Sequence, residues 1–153
     1  MKTIVESNWD LLCPVPCDII EDALHACRAH GRVAFGSQMV EMFYDPKTQE
    51  QLIKEGRAVY IYVSSTGGKF DKKSLTHFTP DKVTYIATYL KWSEADDRGK
   101  HKNPAIRPKS ALTDTAVIGF WEVADLQPLP KSKYIGLRGH IPRHPEYYPL
   151  KVS

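Results

Sequence analysis

The chain has 153 residues, 42% of them hydrophobic and 25% charged, with a net charge of +3. That is the length of one domain, able to bury about two-thirds of its unfolded surface around a single core. No apolar run nears the ~20 residues of a membrane span, and residues 1–6 lack the apolar stretch of a signal peptide, so a soluble cytoplasmic protein with no membrane partner is expected.

The first element is a helix near residues 18–30. Asp18 can cap it, Ile19, Ile20, Ala23, Leu24 and Cys27 form an apolar stripe, and Gly31 supplies the stop. A short strand follows at Arg32–Phe35, broken by Gly36-Ser37. Residues 37–43 fit helix or strand equally. Asp45-Pro46 reads as a turn, and residues 48–55 as a short helix stopped by Gly56.

Ala58–Ser64 is the clearest strand, with Val59, Ile61 and Val63 on one face and Tyr60, Tyr62 and Ser64 on the other. Ser65 to Gly68 ends it in a loop. Val83–Trp92 and Ala116–Val123 are further strands, and Gly119 inside the latter predicts a bulge, a bend or a close backbone approach. The charged segment between them, residues 93–115, is long for a compact domain, so it is either functional or mobile. The turn-rich C-terminal stretch reads as a short strand and extended chain wrapping the sheet. Strands do not alternate regularly with helices, so the expected fold class is α+β: one domain over residues 1–153, a small curved antiparallel β-barrel with flanking helices.

Cys13, Cys17 and Cys27 are odd in number, and Cys13-Pro-Val-Pro-Cys17 lacks the spacing of a redox pair or a four-ligand zinc site. They read as small, partly buried thiols. The six histidines are scattered and read as surface groups. No metal and no cofactor is implied. Phosphate-binding, dinucleotide-binding, zinc-protease and serine-hydrolase motifs are missing. Glu94, Asp96 and Asp97 cluster beside Arg98 as capping or solubility groups. Asp114 and Glu122 are further candidates for catalysis, the alternative for Glu122 being a strand carboxylate that faces solvent.

Charge is unevenly placed. Residues 1–65 carry six Lys/Arg against nine Asp/Glu, and residues 66–153 carry fifteen against nine. A basic half favours polyanions. Aromatic residues at a barrel mouth can stack on bases, which makes Tyr62, Trp92 and Trp121 candidate ligand-binding residues, with Ser64 and Ser65 able to hydrogen-bond a base edge, although the same aromatic pattern also fits a packed core. Arg98, Lys100, Lys102, Arg107, Lys109 and Arg138 are candidates for a basic rim around that mouth.

Two segments carry a family resemblance. Residues 52–64, a helix, then Lys54-Glu55-Gly56, then a strand ending in an aromatic and Ser, and residues 118–129, a strand leading to Pro128, together resemble the PUA-like superfamily, particularly its EVE and ASCH branches. The match covers about a third of the chain. It lacks the early Trp-Ser and Asn/Arg-rich loop of the EVE branch, which Ser7-Asn8-Trp9 only echoes. The resemblance implies a small barrel with a pocket for a modified or flipped base, lined by Tyr62, Ser64 and Ser65, with Trp92 a looser candidate. The function expected is therefore a nucleic-acid-binding module for RNA or DNA. The alternatives are a small nucleoside or amide hydrolase of ASCH type, and a protein-interaction subunit using the proline-rich C-terminal segment.

Overall fold

The computed structural model describes residues 9–17, 19–37, 45–64, 82–111, 117–137, 139, 142 and 144–149. Asp18, residues 38–44, Ser65, His77, Asp114, Arg138, His140 and Arg143 lie outside these.

Among the described residues, seven strands form one sheet: β1 (Trp9–Pro16), β2 (Val33–Ser37), β3 (Ala58–Ser64), β4 (Lys82–Glu94), β5 (Gly119–Pro128), β6 (Ile135–Gly136) and β7 (Glu146–Pro149). Their order is β2-β5-β4-β3-β1-β7, with β6 also pairing β4. Two helices among the described residues, α1 (Ile20–His30) and α2 (Pro46–Glu55), accompany them. The α+β class is as expected, but the sheet differs in two ways. The β1–β3 pair is parallel. Among the described residues, β2 and β7 end the sheet without pairing to each other, so it is not closed into a barrel.

The parallel strand was hidden by its prolines. Cys17 donates its N–H to the Ser64 carbonyl at 2.8 Å, so by two-residue alternation the odd residues of β1 bond towards β3. Pro14 and Pro16 have the opposite phase, and β7 on that side reaches only as far as Leu12. Their missing N–H groups therefore interrupt no ladder.

The alternation read from the sequence of β3 holds. Val59, Ile61 and Val63 join the main core with Leu11, Cys13 and Val15 of β1. α1 covers that core with Ile20, Ala23, Leu24 and Cys27, and α2 adds Leu52. α1 ends at Gly31 (φ 79°), as its sequence predicts, but its N-cap is Ile19, which makes no side-chain cap bond. α2 begins two residues earlier than expected. Asp45-Pro46 is its cap and first turn rather than a free turn, the Asp45 carboxylate accepting from the Thr48 N–H at 3.3 Å.

The opposite sheet face carries two smaller clusters. One gathers Leu12, Tyr62, Val83 and Leu137, and the other Ala34, Ile106 and Phe120. The second is covered by residues 95–111 of the charged segment after β4. The Asp96 carboxylate accepts the backbone N–H groups of Arg98 and Lys100 at 2.8 and 2.9 Å, closing a tight turn. Short 3₁₀ turns at Pro104–Ile106 and Lys109–Ala111 then lay Ile106 and Ala111 inside.

Gly119 is a close approach, one of the three outcomes its position predicts. A Cβ there would lie 2.0 Å from Cζ2 of Trp92, so the indole ring occupies the space that any side chain at 119 would need.

Candidate functional site

Glu122 lies in the middle of β5 and is 1% exposed. The solvent-facing reading of this carboxylate is corrected: it shares a face with Phe120, and the segment after β4 covers that face. A buried carboxylate needs partners, and Glu122 has them on both oxygens. Oε2 accepts the Ser93 hydroxyl and lies 3.0 Å from His101 Nε2. Oε1 lies 3.5 Å from the guanidinium of Arg32. Burial pushes the Glu122 carboxyl up, but the bonds from Ser93 and His101, with the positive charge of Lys91, outweigh it and hold the group below its ordinary range.

The tautomer of His101 follows from its other nitrogen. Nδ1 accepts the Asn103 backbone N–H at 2.9 Å, so the ring proton is on Nε2 and is donated to Glu122. Both ring nitrogens are thus engaged, and the ring edge packs on Phe120 with centroids 5.0 Å apart. His101 is a buried structural imidazole, not the surface group read from sequence.

A register shift in β4 makes this cluster. Tyr85, Ala87 and Tyr89 face the main core, and strict alternation would send Lys91 and Ser93 there too. The irregularity between Tyr89 and Lys91 reverses the phase. Trp92 turns to the core, while Ser93 turns to Glu122. Lys91 pairs with Glu122 across the ladder.

Outside the cluster is a cleft of about 380 Å³. Lys91 and Ser93 line it from β4, His30 and Arg32 from the end of α1 and the start of β2, and Lys102 and Asn103 from the covering segment. Arg32 keeps 47% of its side chain exposed while resting on Glu122. Its walls thus carry three permanent cations, and the one carboxylate among the lining residues is turned inward, hydrogen-bonded within the protein. An anion is the ligand such a site favours. Ser93 and His101 converge on one carboxylate oxygen rather than on each other, so this is not a serine–histidine relay.

The residues predicted from sequence fall elsewhere. Tyr62 is buried among Leu12, Val83 and Leu137, and Ser64 is also buried. Trp121 lies in the main core, stacked on Phe35 at 4.4 Å. Trp92 packs against that core. Tyr62 pairs with Val83 and Trp121 with Trp92, at opposite ends of β4. Nine residues of strand separate them, about 30 Å along the chain, so the aromatic set does not assemble into one mouth.

Of the basic rim, Lys102 lines the cleft. Arg98 and Lys109 are exposed and Lys100 is half-buried. Arg107 is buried: its guanidinium donates to the carbonyls of Ala34 and Ala111 at 2.8 and 3.1 Å and lies 4.7 Å over the Phe120 ring. It braces edge strand β2 instead of offering charge to a ligand. Ser65 and Arg138 are outside the described residues.

Sequence reading missed Arg32 and His101, which carry no motif. Glu122 had a signal: Phe120 and Trp121 precede it on alternate faces, which marks both faces of β5 as covered there. Among the described residues no group of three or more His, Cys, Asp or Glu could hold a metal, and no helix is long and apolar enough to cross a membrane. The chain matches no protein-family model and no curated protein.

Proposed function

We propose that the protein is a nucleic-acid-binding module that engages a nucleotide of RNA or DNA in the cleft over Glu122. The observation that carries this reading is Arg32, half-exposed at the cleft wall with its guanidinium 3.5 Å from the buried Glu122 carboxylate. A planar guanidinium at the wall of a cleft is suited to bidentate contact with a phosphate. Lys91 and Lys102 add charge, and the excess of Lys/Arg after residue 65 supports long-range attraction. PUA-like ancestry belongs to the same proposal. The two segments that carry the resemblance are residues 52–64 and 118–129, which include β3 and β5.

Fluorescence anisotropy with short single-stranded RNA and DNA at two salt concentrations tests it. Salt-dependent binding at about 10⁻⁶–10⁻⁴ M is expected, weakened by Arg32→Gln, with a salt slope reduced by about 0.7 for the lost phosphate contact. Failure of both polymers to bind at low salt would refute the reading.

A second reading has one observation of its own. Glu122 is a buried carboxylate paired across the ladder with Lys91, the combination a small nucleoside or amide hydrolase would use. Slow turnover of nucleoside amides, abolished by Glu122→Gln in a folded protein, would favour it over simple binding.

A further inference from the structure

The charge and size of the cleft say more about its ligand than polyanion binding requires. Three cations, Arg32, Lys91 and Lys102, stand against the single carboxylate of Glu122, a local balance of about +2. His101 adds no charge in the tautomer its two hydrogen bonds define. A phosphodiester within a strand carries one negative charge, whereas a phosphomonoester carries about −1.5 to −2 at neutral pH. The match is to the monoester.

Size points the same way. A volume of about 380 Å³ is at the lower end of the ~300–1,000 Å³ typical of small-ligand sites. That suits one nucleotide rather than a channel following several. An internal nucleotide could enter only by being flipped out of its stack, at a cost of a few kcal/mol, while a terminal one enters with its chain leaving on one side.

We propose that the cleft recognises a terminal phosphomonoester, the 5′- or 3′-phosphate of a nucleic-acid strand or the phosphate of a free mononucleotide. Arg32, ion-paired with Glu122 at 3.5 Å, makes the directional contact, and Lys91 and Lys102 complete the charge. The inference rests on the nucleic-acid reading above for its strand-end form, and its test separates the two.

The test is anisotropy with one single-stranded RNA and one single-stranded DNA octamer, each labelled internally and prepared with 5′-phosphate, 3′-phosphate or hydroxyl ends. Adenosine 5′- and 3′-monophosphates serve as competitors, with adenosine as control. At least tenfold tighter binding of one phosphorylated end is expected, with competition by the matching monophosphate and not by adenosine. Arg32→Gln should erase the preference. The exposed variant Lys102→Gln, which disturbs no buried contact, should reduce it severalfold. Equal binding of all ends overturns the inference and leaves the nucleic-acid reading standing. Binding of a monophosphate with no binding of any octamer upholds the phosphomonoester pocket and overturns the nucleic-acid reading. Failure of both to bind overturns both, and a full end preference in correctly folded Arg32→Gln overturns the inference that this cleft reads the phosphate.

Discussion

His101 and Glu122, 21 residues apart in sequence, meet through a hydrogen bond of 3.0 Å from Nε2 to the carboxylate, in a part of the fold where both are buried. This contact ties the covering segment to β5. It also fixes the oxygen geometry against which Arg32 rests.

The Glu122 carboxyl is held below its ordinary value of 4.5, which gives its contribution to stability a definite pH dependence. A carboxyl depressed in the folded state stabilises above its unfolded value, and that stabilisation is lost as pH falls through the folded value. Glu122→Gln should therefore differ most from the parent protein at neutral pH and converge with it well below 4.5. Glu122→Ala, which leaves His101, Ser93 and Arg32 facing a gap, should cost about 3–5 kcal/mol at pH 7. Urea midpoints across pH check both, and a pH-independent difference for the Gln variant would contradict the account.

Gly119→Ala should be costly despite the small change. The new Cβ would stand 2.0 Å from the Trp92 ring, and the ring cannot retreat without disturbing the main core against which it packs. A loss of about 1–3 kcal/mol is expected, with altered tryptophan emission. Parent-like stability and emission would show that the ring has room to move.

Arg107→Met keeps much of the side-chain volume but removes two charge-assisted bonds to the Ala34 and Ala111 carbonyls. Each such bond is worth about 1.5–3 kcal/mol, so a large fall in stability is expected. Salt dependence of nucleic-acid binding should not change in the folded fraction, because the guanidinium is inside. A reduced salt slope at parent-like stability would return Arg107 to the rim.

Cys13, Cys17 and Cys27 are free and buried, and burial pushes the Cys13 thiol well above its usual range. Thiolate is the reactive form, so the native protein should react slowly with a disulfide reagent, and all three thiols should react quickly in denaturant. A fast-reacting thiol in the native state would locate an opening in the core.

Much of the fold was legible because local patterns decide it. The stripe and stop of α1 and the alternation of β3 each follow from residues near in sequence. β1 was not legible, since Pro14 and Pro16 look like strand breakers until β7 is seen to end at Leu12. The aromatic candidates were misleading for a related reason: Tyr62 and Trp121 fill cores, and a sequence does not show that their strand partners lie at opposite ends of β4.

By itself, then, the sequence determined the α+β class, the main strands and helices, and the excess of positive charge in the later residues, all consequences of composition and short-range periodicity. The tertiary structure alone decided the site. A one-residue shift of phase in β4 turns Lys91 and Ser93 towards Glu122, and folding of the charged segment back over β5 brings His101 to the same carboxylate. Neither leaves a local trace, because each depends on how far the chain has slipped against a neighbour distant in sequence.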